Sequence, residues 1–117
     1  MHKITVFTPT YNRAYCLHKC YESMKRQTCQ DFDWLIVDDG SSDNTKELVD
    51  SWLSQPHEFG IRYVYKPNGG MHTAYNTAYE LIETELSMNV DSDDYLTDTA
   101  IADVLTFWEA NKRDDIG

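Results

Sequence analysis

The sequence contains no apolar run of about 18 residues, so it predicts no membrane-spanning helix. It also lacks the G-x-G-x-x-G pattern of dinucleotide-binding folds and the G-x-x-x-x-G-K-[ST] pattern of P-loops, which excludes both kinds of phosphate-binding loop. Cysteine is scarce. The three cysteines match no metal-ligand spacing, and we expect buried, reduced thiols.

Positive charge is also scarce, because 10 Lys and Arg residues face 20 Asp and Glu residues. Nonspecific nucleic-acid binding depends on Lys and Arg that release counterions, so no nucleic-acid partner is expected. A ligand that carries phosphates would be repelled as well, unless a cation lies between it and the protein. The first residues, MHKITVFTPTYNR, enter a strand without the apolar region of a secretory signal, and a cytoplasmic location is therefore expected.

What the sequence does contain is a regular alternation of strand-like and helix-like segments. Short β-branched and apolar runs predict strands at 3–8, 32–38, 61–66 and 85–91. Apolar residues at helical spacing predict helices at about 14–26, 44–53, 75–82 and 101–108, with Asn44 and Glu47 spaced for a capping box. This order predicts one α/β domain: a mostly parallel sheet with helices on both faces.

Polar clusters follow all four predicted strands, at the edge where parallel sheets bind ligands. They are TPTYN, DDGSSD, KPNGG and DSDD, in chain order. The last cluster contains Asp91, Asp93 and Asp94, and two like charges about 4 Å apart repel by roughly 1 kcal/mol in water. One interpretation is a solvated turn in which Asp94 or Asp98 caps the next helix. The spacing and the position at a strand end favour a site for a divalent cation and a nucleotide.

The other clusters offer weaker candidates. Asp39, at a strand tip, can accept a hydrogen bond from a base N–H, whereas residues 41–43 are expected to satisfy helix amides. The ring of Tyr11 could stack on a base or anchor the loop, and the carbonyl and hydroxyl of Thr8 could reach a base. The glycine pair at 69–70 would let the backbone approach a ligand closely.

Taken together, the stretches ITVFTPTYNR, DFDWLIVDDGSSDNT, NGGMHTAYNTA and NVDSDDYL resemble the family 2 glycosyltransferases of the GT-A fold. The resemblance extends over essentially all 117 residues, and VDDGSSDNT and DSDD are its most specific parts. It implies the Rossmann-like nucleotide-binding half of an inverting, metal-assisted enzyme. Such an enzyme transfers a sugar from a UDP-sugar, or another nucleotide-diphosphate sugar, to a hydroxyl of a glycan or lipid-linked acceptor.

The resemblance also assigns roles to individual residues. It implies that Asp39 reads the base, which is usually uracil. It implies that Asp91 contacts the ribose or a metal-bound water. The implied ligands of Mg²⁺ or Mn²⁺ are Asp93 and Asp91, with Asp94 as an additional contact. Further nucleotide contacts are implied at Thr8, Pro9, Tyr11, Asn68 and Gly69.

The chain departs from the family pattern in two places. Many relatives have Ala-Arg-Asn in the third helix, where this chain has Ala74-Tyr75-Asn76. The positive contact of that arginine is therefore missing, and Lys66 or His72 is a candidate replacement.

Inverting members also supply a catalytic base from a segment after the D-x-D motif, which is expected here beyond Gly117. We therefore interpret residues 1–117 as the incomplete donor-binding part of a longer domain, inactive alone, whose missing C-terminal half binds the acceptor. The longer protein is expected in the cytoplasm or peripherally at the inner face of the membrane.

Other functions stay open at the level of sequence. A signalling receiver domain has a similar length, acidity and α/β pattern, but TPTYN and KPNGG lack its acidic pair and its phosphorylated Asp. A metal-dependent nucleotidyltransferase would need a glycine-rich basic loop after the first strand, and TPTYNR has no glycine. A third possibility is a module that binds nucleotide sugars without catalysis.

Overall fold

The computed structural model describes residues 4–82, 84 and 86–111. Strands and helices alternate in the predicted order, which is confirmed. The predicted strand starts at residues 3 and 85, and the chain after residue 111, lie outside the described residues. The elements are β1 (Ile4–Thr10), α1 (Ala14–Lys25), β2 (Phe32–Asp38), α2 (Thr45–Leu53), β3 (Gly60–Tyr65), α3 (Met71–Leu81), β4 (Leu86–Asn89) and α4 (Ala100–Asn111).

The four strands form one parallel sheet in the order β3-β2-β1-β4. All of β1 and nearly all of β2 are buried, whereas β3 and β4 are only partly buried. The chain moves outward from β1 through β2 to β3 and then crosses to the other side of β1. Such a reversal leaves a crevice at the carboxyl ends of β1 and β4, where ligands bind in sheets of this kind.

Helices cover both faces of the sheet, as predicted. On one face α1, α2 and α4 pack over Ile4, Val6, Trp34 and other core residues. Aromatic rings stack there, with the ring centroids of Tyr21 and Trp52 4.1 Å apart. On the opposite face α3 packs through small residues, Ala74 and Ala78, against Phe7, Leu35 and Val37. Side chains alternate between the faces of a strand, which explains why neighbours in β1 and β2 serve different cores.

Strand β1 is longer than the sequence predicted. It continues through Pro9 to Thr10, where the prediction had a loop. The carbonyl of Phe7 accepts a hydrogen bond from the amide of Val90 on the β4 side. The backbone nitrogen of Pro9, two residues later along the strand, faces the same side. Because β4 pairs with β1 only as far as Phe7, the missing N–H of Pro9 removes no ladder bond.

The predicted capping box at the start of α2 is wrong. Asn44 is the N-cap residue, but its side chain makes no capping hydrogen bond. The carboxylate of Asp43 takes that role, because it accepts from the amide of Thr45 at 3.1 Å and from the amide of Ala14 at 3.2 Å. One side chain therefore satisfies the starts of both α1 and α2, which agrees with the structural role predicted for residues 41–43.

Two features of which the sequence has little or none, cysteine residues and long apolar segments, can be compared with the structure. Cys20 is buried as expected, but Cys16 and Cys29 are only partly buried, and all three thiols are free. None of the helices in the described part of the chain has the length and hydrophobicity needed to cross a membrane.

Candidate functional site

The segments that follow the four strands lie side by side at the carboxyl edge of the sheet. Backbone hydrogen bonds connect them: the amide of Asp39 donates to Thr10 and the amide of Lys66 donates to Asp38, each at 2.9 Å. The convergence predicted from the sequence pattern is therefore present between β1, β2 and β3. Val90, which follows β4, joins the same edge through its bond to β1.

Asp39 lies at the centre of the β2–β3 part of this edge and is 2% exposed. One carboxylate oxygen, Oδ1, accepts from Lys66 Nζ at 2.5 Å and from the amide of Gly69 at 3.0 Å. The other, Oδ2, accepts from the amide of Gly70 at 2.9 Å and weakly from Asn68 Nδ2 at 3.5 Å. Burial opposes ionisation, but the Lys66 ammonium and the two glycine amides outweigh it, so the pKa of Asp39 lies below its ordinary value.

Lys66 is committed to this network. Besides Asp39, its ammonium donates to the carbonyl of Pro67 at 2.7 Å and to Thr73 Oγ1 at 2.8 Å. An ammonium has three N–H donors, and these three acceptors use all of them. Lys66 is therefore not available as the replacement cation that the sequence suggested, while the other candidate, His72, is exposed at the start of α3.

Gly40 makes the approach of the 66–70 segment possible. It has a φ of +81°, in the left-handed region that favours glycine. A Cβ at this position would lie 2.6 Å from the amide nitrogen of Asn68. That close contact lets Asn68 Nδ2 donate to the backbone carbonyl of Asp39 at 3.0 Å. The sharp turn predicted at Gly40 is thus confirmed, and it holds β2 and the 66–70 segment together.

The neighbouring carboxylate, Asp38, has a different role. It is fully buried, and its oxygens accept from the amide of Ser41 at 2.8 Å and from the Tyr63 hydroxyl at 2.5 Å. Burial, followed by the hydrogen bond to Asp38, raises the pKa of Tyr63 above its ordinary value. Asp38 therefore stabilises the turn from the inside, and Asp39 is the carboxylate that borders the site.

The end of β1 separates core residues from site residues. Thr8 is fully buried, and its hydroxyl accepts a hydrogen bond from Trp34 Nε1 at 2.9 Å, so only its backbone stays a candidate for contact with a base. Tyr11 is 43% exposed. Between it and Arg13, Asn12 has a φ of +53°, and its side-chain oxygen accepts from the amides of residues 42 and 43. The turn that displays Tyr11 and Arg13 is therefore anchored to the segment after β2.

The DSDD turn follows β4. Asp91, Asp93 and Asp94 are exposed, whereas Ser92 between them is 6% exposed. The carbonyl of Ser92 accepts a weak hydrogen bond from the thiol of Cys16 at 3.5 Å, which connects the turn to α1. Of the ion pairs between described residues, none includes the three carboxylates. This turn therefore presents negative charge that no ion pair between described residues neutralises.

The solvated-turn interpretation assigned a helix cap to Asp94 or Asp98, and the structure does not form it. Asp94 Oδ1 accepts from the amide of Tyr95 at 3.0 Å, and Asp98 pairs with Arg26 at 3.2 Å. The amide of Ile101 in α4 instead donates to the side chain of Gln27 at 3.0 Å. The cap of α4 thus comes from the segment that follows α1, and Asp91, Asp93 and Asp94 have no structural role at the start of this helix.

The exposed carboxylates suit one kind of metal site. In the described part of the chain, no three His, Cys, Asp or Glu side chains come together as a preformed metal cluster. Mg²⁺ and similar hard cations require less, because they take one or two protein carboxylates and complete their shell with phosphates and water. Asp91 and Asp93, as exposed oxygen donors beside a ligand crevice, fit that second arrangement.

A cavity of about 340 Å³ opens between these segments. Three of the eight predicted nucleotide contacts line it, those at positions 11, 39 and 68. Of the others, Thr8 and Pro9 lie in β1 and Gly69 is engaged with Asp39, while Asp91 and Asp93 flank Ser92 but do not themselves line the cavity. Sequence reasoning missed Arg13, although it is the one basic residue of TPTYNR in a chain poor in positive charge. The lining residues are Tyr11, Arg13, Asp39, Asn68, Gly70 and Ser92.

Tyr75 occupies the position at which the sequence pattern lacks an arginine. Its ring packs edge-on against Phe7, with centroids 5.3 Å apart, and its hydroxyl accepts from Asn89 Nδ2 at 3.0 Å. These contacts place Tyr75 on the α3 face of the sheet. It is not among the residues that line the cavity.

Comparison with known proteins shows the family to which the chain belongs. A family model described as "Glycosyl transferase family 2" matches residues 5–117. The teichoic acid poly(glycerol phosphate) polymerase of Staphylococcus epidermidis is 38% identical over 86% of this chain and 14% of its own length. The chondroitin synthase of Pasteurella multocida is 34% identical over 84% of this chain and 10% of its own length.

The fold has a close structural counterpart as well. A crystal structure of S. aureus TarS 1–349 in complex with UDP-GlcNAc superposes with a TM-score of 0.84 and 28% sequence identity. The match covers 92% of this chain and 31% of the TarS chain. The chain therefore spans a minor part of the length of each of these relatives.

Proposed function

The chain belongs to glycosyl transferase family 2 and has the GT-A type of α/β fold, and on that premise we propose that the edge site binds a UDP-sugar. The proposed reaction transfers the sugar, with inversion, to a hydroxyl of a glycan or lipid-linked acceptor. The similarity to TarS, which binds UDP-GlcNAc, supports the donor assignment. Receiver domains and nucleotidyltransferases are not members of this family, so both alternatives lose their support. The catalytic base beyond Gly117 and the cytoplasmic location stay predictions.

The cavity offers two kinds of group that could bind a nucleobase, an aromatic ring and a carboxylate. Tyr11 offers an exposed ring on which a base can stack. Asp39 would accept the base N–H. Three of its acceptor positions have close donors, and the fourth has only Asn68 Nδ2 at 3.5 Å. A base N–H can replace that weak partner, because Asn68 keeps its 3.0 Å bond to the Asp39 carbonyl.

The DSDD turn would bind the diphosphate of the donor through a divalent cation. Asp93 and Asp91 would hold Mg²⁺ or Mn²⁺, with Asp94 as an additional ligand. When bound, the cation supplies positive charge that stabilises the nucleoside diphosphate as it leaves the sugar. The residues of this chain would then bind the base, orient the diphosphate and balance its charge. Binding and orientation of the donor, without the acceptor step, is the role proposed for residues 1–117.

One observation carries the proposal: exposed carboxylates without ion-pair partners among the described residues lie at the sheet edge, beside a cavity lined by Tyr11 and Asp39. The test is calorimetric titration of UDP into the 117-residue protein, with Mn²⁺ and with EDTA. Asp93→Asn is the test variant. Asp50→Asn is the matched control, because it removes an exposed carboxylate from α2 that pairs with Lys46.

The expected result is UDP binding that Mn²⁺ strengthens. With Mn²⁺ present, binding should weaken at least tenfold in Asp93→Asn and stay unchanged in Asp50→Asn. A folded wild-type protein that binds no UDP under either condition would show the proposal to be wrong. Equal UDP binding by wild type and Asp93→Asn would refute the metal assignment and leave the nucleotide assignment standing.

A further inference from the structure

The positive charge of the candidate site comes from one residue that the sequence pattern did not single out. Of the six residues that line the 340 Å³ cavity, Arg13 alone is basic. Lys66 lies nearby, but its three N–H donors are used by Asp39, Pro67 and Thr73. Any positive charge that an anionic ligand meets directly in this cavity would therefore come from Arg13.

Arg13 has hydrogen-bonding capacity to spare. Its Nη1 donates to the hydroxyl of Tyr15 at 2.5 Å, and no other acceptor is found for it among the described residues. A guanidinium has five N–H donors in a planar fork that matches phosphate oxygens. The Tyr15 bond, and to a lesser extent the charge of Asp93, raise the pKa of Arg13, so its charge is permanent.

The backbone holds Arg13 between the base-binding and diphosphate-binding parts of the site. Asn12 fixes the preceding turn through its bonds to the amides of residues 42 and 43. One turn into α1, the thiol of Cys16 donates to the carbonyls of Arg13 and Ser92, each at 3.5 Å. Arg13 is thus connected to the same turn that carries Asp91 and Asp93.

From this geometry we propose that Arg13 binds the diphosphate of the nucleotide donor directly, as a second positive partner beside the divalent cation. The inference rests on the proposed function, because it assumes that the ligand is a nucleoside diphosphate. Arg13 supplies a fixed charge and a directional fork, whereas a cation at the DSDD turn supplies charge only when it is bound. Selectivity for diphosphates over nucleosides should therefore persist in part without metal.

The experiment compares the affinities of UDP and uridine, with Mn²⁺ and with EDTA, for the wild type and three variants of the 117-residue protein. Arg13→Gln removes the charge, and Arg13→Lys keeps it without the fork. Tyr15→Phe removes the hydroxyl that holds the guanidinium. We expect Arg13→Gln to weaken UDP binding about tenfold and to leave uridine binding unchanged, as for the loss of a charge-assisted hydrogen bond. Arg13→Lys should recover part of the affinity, and Tyr15→Phe should change it less than threefold.

The outcomes separate this inference from the one on which it rests. An unchanged UDP affinity in Arg13→Gln, or an equal loss for UDP and uridine, would overturn the diphosphate contact while the donor site stands. Absence of UDP binding by the folded wild type would overturn the proposed function and this contact together. The urea midpoint of each variant is measured alongside. Because Arg13 and Tyr15 are exposed, the fold should be unaffected.

Discussion

The two halves of the candidate site handle charge in opposite ways. In the half formed by β2 and β3, Asp39 is 2% exposed and is matched by Lys66 and two backbone amides. In the half formed by β1 and β4, Asp91 and Asp93 are exposed and take part in no ion pair between described residues. The charge of the first half is balanced within the fold, whereas the second presents charge that an external cation can neutralise.

This difference separates a carboxylate that organises the protein from carboxylates that await a ligand. A buried carboxylate is tolerated only when it is paired and hydrogen-bonded, so the partners of Asp39 are required by the fold itself. An exposed acidic turn costs the fold little, because water screens its repulsion. The stability of the protein should therefore depend on Asp39, and its response to metal should depend on Asp91 and Asp93.

The largest effect is expected from Asp39→Ala. Removing the carboxylate leaves the ammonium of Lys66, which is 16% exposed, without its charged partner. Breaking a buried pair in this way costs about 3 kcal/mol or more in the free energy of unfolding. Urea unfolding measures this loss, and the double variant Asp39→Ala with Lys66→Met should lose less than the sum of the single variants. An Asp39→Ala protein as stable as the wild type would remove the distinction between the two halves.

Substitutions at the end of β1 test where the core stops and the site begins. Thr8→Val deprives the buried Trp34 Nε1 of its acceptor, and we expect a loss of about 1–2 kcal/mol in the free energy of unfolding. Thr10→Val is the matched control, because the buried hydroxyl of Thr10 has no partner among the described residues. It should be neutral or slightly stabilising. Equal losses in both variants would show that packing, and not the bond to Trp34, makes Thr8 a core residue.

A smaller effect is expected from pH, because protonation changes charge but leaves the side chain in place. The folded-state pKa of Asp39 is lowered from 3.8, so its stabilisation is complete above that value and is lost as pH falls through the lower folded-state pKa. Asp43 behaves in the same direction. Urea unfolding over an acidic pH series should therefore show a shallower decline in Asp39→Asn than in the wild type. A parallel decline would assign acid sensitivity to other groups.

The position of the site could be predicted from the sequence, but its internal partners could not. Short β-branched runs located the strands, and parallel strands bring the residues that follow them to one edge. The bond between Asp39 and Lys66 joins residues 27 apart and depends on the register of β2 against β3, which no local pattern encodes. The prediction that the Thr8 hydroxyl could reach a base does not hold, for a different reason. The prediction ended β1 at that residue, whereas the strand continues to Thr10 with Thr8 facing the core.

The smallest effect, and the one that most sharpens the comparison, is expected from Asp93→Asn. Without metal, this substitution removes one of three neighbouring negative charges in water, so the free energy of unfolding should rise by about 0.5 kcal/mol or less. Mn²⁺ should stabilise the wild type, because a ligand that binds only the folded state adds to its stability, and this gain should be largely lost in Asp93→Asn. The measurement is urea unfolding in EDTA and in excess Mn²⁺, with Asp50→Asn as the control variant that should keep the stabilisation by Mn²⁺.

A clear destabilisation of Asp93→Asn in EDTA would mean that this carboxylate has a partner in the fold. The acidic turn would then resemble the Asp39 half, and the contrast between a self-sufficient and a cation-dependent half would no longer hold.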